Sequence, residues 1–484
     1  MEEIDIALIT QRSIRGIFAL TSRTFFIQIV GLVANFLLTV LLDPAIFGVF
    51  FVVSAAIAFL SYFSDIGLAA ALIQKKEAIT SDDLKTTFTI QQILVVTIVL
   101  FSLLISTKVG SFYNLGKEGV FLFQALAIAF FLSSLKTIPS IILERNLHFE
   151  KLVIPEIVET LFFNLTVVVL ALKGFGISSF TYAVLIRGVV GLISIYIISP
   201  WRPVIGFSKT SAKKLLSFGI PFQLNSFLAL IKDDLFVAFL GKVLPIAQVG
   251  YIGFAQKWAT MPLTLIMDNV IKVVFPSFSR LQDQKEVLSK AIEKSIFAAC
   301  FLIFPALFGL VILAPYFVHL IPRYLKWEPA LMSLTFFSVN SIFSSISTPL
   351  TNALSAIGRI KTTLYLMVFW TITTWVLTPL LIVLMGFNGV AIASAIISLS
   401  VVLVVYLVRR HIEFNVFKAA GYPFLCSAVM TAVVYLLSPL IIKGFASLFF
   451  MIFVGAVVYF FSMFLFAKKE VFADIELIRS NLKK

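Results

Sequence analysis

Charge is scarce in this sequence. Only 13% of its 484 residues are Asp, Glu, Lys or Arg, against about a quarter in a soluble domain. That shortage excludes one ordinary soluble core of this length. The two cysteines, Cys300 and Cys426, both lie in apolar stretches, which excludes a disulfide framework or a cysteine metal motif. The three histidines, His148, His319 and His411, are scattered along the chain, so neither a metal site nor a cofactor is expected. No segment between apolar runs is long enough for a folded extramembrane domain. Any chemistry must therefore sit inside a bundle or at its rims. The opening "MEEIDIALITQRSIRG" lacks the short apolar region and small-residue cleavage site of a signal peptide, and reads as a retained lead-in.

Apolar residues are abundant instead. They make up 60% of the chain, with a mean hydropathy of +1.06. A helix needs about 20 apolar residues to cross a bilayer. Such runs fall near 14–41, 46–73, 85–107, 119–143, 152–172, 177–199, 212–240 and 246–275. They continue near 290–313, 328–355, 362–385, 388–408, 416–438 and 444–467. The expected fold is thus an all-α polytopic membrane protein of about 14 transmembrane helices. The seventh and eighth runs carry the most charge.

The net charge of +14 would suggest nucleic acid in a soluble protein. Here the basic residues cluster in short loops, which is how membrane proteins are oriented. Assigning loops alternately gives about 25 basic residues on the side of the termini and about 7 on the other. Both termini are therefore expected in the cytoplasm, with the chain in the cytoplasmic (inner) membrane. A weak internal repeat is also visible. "LLDPAIFGVFFV" follows the first run and "LGKVLPIAQVGYIGF" follows the seventh, and repeats are how many transporters build a central path.

Charges inside the runs cost on the order of 2.5–3.5 kcal/mol each at a helix centre, so they mark cavities or pairs. The basic ones are Arg23, Lys136, Arg187, Lys232, Lys257 and Lys272; the acids are Asp65, Glu156, Glu159, Asp233, Asp234 and Asp268. At about 100° per residue, Lys257, Thr264, Asp268 and Lys272 share one stripe, and Asp268 with Lys272 has the favourable acid-first spacing for a helical pair. Thr24, Gln28, Gly31 and Asn35 form a polar seam on the first run. Gln223, Ser226 and either Asp233 or Asp234 form another on the seventh, with Asn225 beside them. Seams turned inward would enclose a hydrophilic cleft. Glu156 and Glu159 lie near the end of a run and read as acids solvated at headgroup level. Lys136 and Arg187 read as cavity cations, snorkelling side chains or structural pairs. Asp65 reads as a capping or loop residue.

Several segments resemble bacterial polysaccharide flippases of the Wzx type, within the multidrug/oligosaccharidyl-lipid/polysaccharide exporter superfamily. They are "SDIGLAAALIQKKEAITSDDL" at 64–84, "PSIILERNLHFEKL" at 139–152, "VGYIGFAQKWATMPLTLIMDNVIKVVFPSFSRLQD" at 249–283 and "NALSAIGRIKTTL" at 352–364. The resemblance covers nearly the whole chain. It departs in the seventh run, where many relatives have a glycine or lysine in the "FLG" segment and this chain reads "VAFLGK" after two acids.

The resemblance implies two pseudo-symmetric six-helix lobes around a central cavity, 1–200 and 201–411, followed by two additional helices and a basic tail at 412–484. It implies a flippase rather than an enzyme, moving polyprenyl-pyrophosphate-linked oligosaccharide to the outer leaflet for surface polysaccharide assembly. A polysaccharide polymerase and other assembly proteins would be its partners, with membrane lipid around it. The pyrophosphate would meet Arg23, Lys136, Arg187, Lys257 and Lys272, after Arg145 and Arg280 gather it at the cytoplasmic rim. Sugars would meet Gln28, Asn35, Gln223 and Asn225. Asp233, Asp234 and Asp268 are the candidates for ion coupling. A multidrug exporter and a cell-wall lipid precursor flippase are the near rivals. A membrane-embedded glycan polymerase is the rival of another class.

Overall fold

A computed structural model of the chain describes the backbone of residues 6–466 apart from 65 and 76. Side chains are described from residue 20 onward, apart from 21, 65, 76, 222, 224–226, 228, 229 and 273. Among the described residues the regular structure is helical. The chain divides into two compact units, residues 1–250 and 251–484.

The first unit holds α1 (Ile6–Leu41), α2 (Pro44–Ser61), α3 (Leu68–Gln74), α4 (Ser81–Tyr113), α5 (Gly116–Ser134), α6 (Thr137–Arg145), α7 (Phe149–Leu172), α8 (Ser178–Ile198), α9 (Lys209–Lys232) and α10 (Asp234–Val243). Helix α7 packs on α1 and α8, α5 on α4 and α8, and α9 on α3 and α4. Helix α10 packs on α2. A small core of Leu68, Leu72, Phe88, Ile138, Ile141 and Leu215 ties the short helices α3 and α6 to α4 and α9.

Helix α11 (Ile246–Leu281) begins in the first unit and runs on into the second. There follow α12 (Lys285–Leu320), a 3-10 turn (Pro322–Ala330), α13 (Leu331–Ala356), α14 (Ile360–Met385), α15 (Asn388–Ser398), α16 (Val401–Arg409), α17 (Val416–Ile441) and α18 (Phe445–Phe466). Helix α12 is central here, packing on α13, α17 and α18. Its inward stripe of Leu288, Ile292, Ile296, Cys300 and Phe304 is almost fully buried, at the four-residue steps that keep successive side chains on neighbouring turns of one helix face.

Among the described residues twelve helices, counting α15 with α16 and the 3-10 turn with α13, are long and apolar enough to cross a membrane. Helix α11 makes a thirteenth if its two parts, which meet at 40° between Lys272 and Val274, are one span. The remaining expected crossing corresponds to α9 and α10. Many large apolar side chains stay exposed, Leu104 by 79% and Val383 by 84%. Such a surface is stable against lipid rather than water.

The repeat seen in the sequence has a local structural meaning. Its glycines are Gly48, in the first turns of α2, and Gly250, in the first turns of α11. A Cβ on Gly48 would stand 1.9 Å from the Ile246 carbonyl oxygen, and one on Gly250 would stand 1.9 Å from the Pro44 carbonyl oxygen. Each glycine lets its helix touch the opening turn of the other. The two prolines also suit these opening turns. Pro44 occupies the first helical position of α2, where its missing N–H would be unpaired in any case.

Candidate functional site

The polar cavity of the first unit lies among α1, α6, α7 and α8, with a volume of about 570 Å³. Arg23, Thr24, Ile27 and Gln28 line it from α1, Ser133 from the end of α5 and Lys136 from the α5–α6 turn. Thr137 and Ser140 of α6, Pro155, Glu156, Glu159 and Thr160 of α7, and Arg187 of α8 complete the polar wall. Three cations face two carboxylates, so the cavity carries one net positive charge.

Every charge in it is paired. Arg23 Nε donates to Glu156 Oε2 at 2.5 Å, and Nη2 lies 2.5 Å from the same oxygen. Lys136 Nζ donates to Glu159 Oε1 at 2.5 Å. Arg187 Nε lies 3.5 Å from Glu159 Oε2. The pairs are not equally dry. The Glu159 and Lys136 side chains are 10% and 16% exposed, Arg187 53%. Glu159 thus bridges a buried cation and a half-open one.

Local structure explains the placement. Lys136 is the N-cap of α6, and Tyr196 of α8 holds the preceding carbonyl, its hydroxyl donating to Leu135 O at 3.1 Å. Glu156, Glu159 and Thr160 are three and four residues apart, so they share a face of α7. Pro155 lies inside α7 and offers no N–H to the carbonyl one turn earlier. Gly191 of α8 makes room for the acid, because a Cβ there would stand 2.1 Å from Glu159 Oε1. The Arg187 guanidinium lies 5.8 Å from the Phe163 ring centroid, which steers it along the wall.

Three of the five expected cations, Arg23, Lys136 and Arg187, therefore meet in one cavity, with Gln28 of the expected polar lining. Asn35 is half-buried on α1. The reading of Glu156 and Glu159 as headgroup-solvated acids is corrected: both line the cavity, and both hold its bases. The signal was present in their spacing with Thr160, but a sequence does not show which bases face them.

The other expected residues lie elsewhere. Lys257, Asp268 and Lys272 are exposed on α11, and the expected pairing of Asp268 with Lys272 is not formed among the described residues. Arg280 is exposed at the end of α11. Arg145 holds a loop: its guanidinium donates to the carbonyls of Leu72 and Lys75, each at 2.7 Å, and to that of Glu77. Gln223 ties α9 to the end of α2. Its Nε2 donates to Tyr62 O at 3.0 Å, and the Tyr62 hydroxyl donates to the Gln223 carbonyl. Asn225, Ser226 and Asp65 lie outside the residues whose side chains are described.

The adjacent charges Lys232, Asp233 and Asp234 mark an interruption. Helix α9 ends at Lys232, Asp233 forms the turn, and α10 starts at Asp234. Asp233 is exposed and Asp234 half-buried. An acid at the first position of α10 meets the positive end of that helix.

The second unit has its own cavity, of about 550 Å³, lined almost wholly by apolar side chains such as Phe254, Leu313, Phe317, Met430, Met451 and Phe460. It offers hydrocarbon contact and no charge.

Comparison with known proteins fits this architecture. The family model described as "Polysaccharide biosynthesis protein" matches residues 37–330. The chain belongs to that family. It is 27% identical to the lipopolysaccharide biosynthesis protein WzxC of Escherichia coli (strain K12) over 350 residues, 70% of this chain and 69% of WzxC. It is 24% identical to the succinoglycan biosynthesis transport protein ExoT of Rhizobium meliloti (strain 1021), over 57% of this chain and 55% of ExoT. Among solved structures, the lipid II flippase MurJ in an inward closed conformation superposes with a TM-score of 0.76 at 18% identity, over 93% of this chain and 99% of MurJ. An inward-facing multidrug resistance MATE family transporter gives 0.63 at 17%, over 81% and 97%. These two show a common fold.

Proposed function

We propose that this protein is a flippase for polyprenyl-pyrophosphate-linked oligosaccharide, carrying it from the inner to the outer leaflet of the cytoplasmic membrane for surface polysaccharide assembly. The observation that carries the reading is the cavity joining Arg23, Lys136 and Arg187. A pyrophosphate needs several cationic donors at once, and arginine offers a planar fork suited to phosphate oxygens. The hydroxyls and amide of Thr24, Gln28, Ser133, Thr137, Ser140 and Thr160 suit water and sugar. The prenyl tail stays in lipid. Alternating access of two lobes, which we take as 1–200 and 201–411 with 412–484 appended, moves the headgroup across.

The roles of WzxC in lipopolysaccharide biosynthesis and of ExoT in succinoglycan biosynthesis transport support the polysaccharide assignment, and the basic-loop asymmetry supports cytoplasmic termini. Lys257 and Lys272 are the further cations of the path and Arg280 that of its rim, while Arg145 is engaged with the carbonyls of Leu72, Lys75 and Glu77. Gln28, Asn35, Gln223 and Asn225 are its sugar contacts. Asp233, Asp234 and Asp268 are the ion-coupling residues of this reading. No chemical step is assigned to the chain, and a polysaccharide polymerase is its downstream partner.

A multidrug exporter for cationic compounds is disfavoured by the net positive cavity. The test is deletion of the gene and analysis of lipid-linked sugars by membrane side. Accumulation of a lipid-linked oligosaccharide on the inner leaflet is expected. Accumulation of the cell-wall lipid precursor instead, or release of glycan chemistry by the purified protein, overturns the reading.

A further inference from the structure

We propose that Glu156 and Glu159 are specificity-determining residues. They occupy the cavity's cations as surrogate anions, and yield them to a diphosphate but not to the singly charged phosphodiester of ordinary membrane phospholipid. The inference rests on the reading of this cavity as a diphosphate site.

A pocket of three bare cations inside a bilayer faces a severe competitor. Phospholipid phosphates surround it in large excess, and basic residues near a membrane attract anionic lipid by about 1 kcal/mol each. Affinity for phosphate alone would fill the pocket with the wrong headgroup. Discrimination needs an element that opposes the competitor.

The two carboxylates supply it. They sit 2.5 Å from Arg23 and Lys136, and Glu159 also reaches Arg187 at 3.5 Å. An entering anion must break contacts that are already formed within one chain. A phosphodiester brings one negative charge, no more than each carboxylate already provides, so the exchange gains little. A diphosphate brings at least two charges and more oxygens, enough to span cations that come from α1, the α6 cap and α8. The surplus of one cation in the cavity leaves room for a net anion once the acids swing aside. Gly191 lets Glu159 dock closely, so the surrogate is held by shape as well as by charge.

The experiment is calorimetric titration of the purified full-length protein with two probes, inorganic pyrophosphate and dihexanoyl phosphatidylglycerol. Wild type is expected to prefer pyrophosphate by about tenfold or more, and Glu159→Gln to tighten phosphatidylglycerol by about tenfold, shrinking that preference. Glu156→Gln, whose partner is Arg23 on the more exposed side, should shift the ratio the same way. Glu159→Asp, which keeps the charge, should retain the preference. Melting temperatures establish that each variant is folded. A ratio unchanged in both glutamine variants, whether the two affinities hold or fall together, overturns the proposal, and the diphosphate site itself stands as long as wild type binds pyrophosphate. Wild type that binds no pyrophosphate removes the diphosphate site itself, and this inference with it.

Discussion

Lys136 Nζ and Glu159 Oε1 lie 2.5 Å apart, joining the cap of α6 to the middle of α7. Neither side chain is more than 16% exposed. Removing one member of such a pair leaves a buried charge without its partner, which typically costs about 3–5 kcal/mol. Lys136→Ala should therefore lower the melting temperature of the detergent-solubilised protein. The double variant Lys136→Ala/Glu159→Gln should recover most of the loss. Full additivity of the two single effects would mean the pair is not coupled.

Gly191→Ala tests the same acid without touching a charge. The added methyl would fall 2.1 Å from Glu159 Oε1 and 2.4 Å from its Cδ, so the side chain must move. The expected result is looser pairing with Lys136 and Arg187 and tighter phosphodiester binding, with a stability cost of about 1–3 kcal/mol. Binding ratios indistinguishable from wild type would show that the acid docks without the glycine.

Gly48→Ala and Gly250→Ala probe the crossing of α2 with the start of α11. Here the clash is with backbone carbonyls at 1.9 Å, which cannot swing away as a side chain can. Each variant should lose about 3 kcal/mol or more, at the upper end for overpacking. Thermal unfolding measures it, and an unchanged melting temperature would contradict the close approach.

Arg145→Ala should act on a loop. Losing donors to three carbonyls releases the end of α3 and the residues that follow it, at about 1–3 kcal/mol for any carbonyl left buried and unsatisfied. Faster proteolytic cleavage between residues 75 and 80 is expected, with pyrophosphate affinity unchanged. Arg145→Lys should rescue only partly, because one ammonium does not reproduce the fork. A variant that loses pyrophosphate affinity and keeps its loop would return Arg145 to the binding path.

Lys257→Ala and Lys272→Ala address the cations of α11. Each should reduce surface polysaccharide while the protein stays in the membrane, as expected if the path continues along that helix. Normal polysaccharide in both variants removes them from it.

The membrane class of this chain was legible in composition alone, because burying 60% apolar residues at 13% charge has few other solutions. Span positions followed from run length. The two runs that carry the most charge are also the structurally irregular ones, α9–α10 interrupted at Asp233 and α11 bent after Lys272. A charge inside an apolar run announces itself to anyone counting residues. Its partner does not, since Arg23 and Glu156 are 133 residues apart.

The sequence by itself determined that the chain is a bundle of membrane helices, where they run, and which ionisable side chains must be accounted for. Only tertiary structure decided that Glu156 and Glu159 join Arg23, Lys136 and Arg187, and that Arg145 clasps a loop. The reason is physical. Hydropathy and periodicity are properties of one helix against its solvent, whereas an ion pair depends on which faces of different helices are brought within a few ångströms.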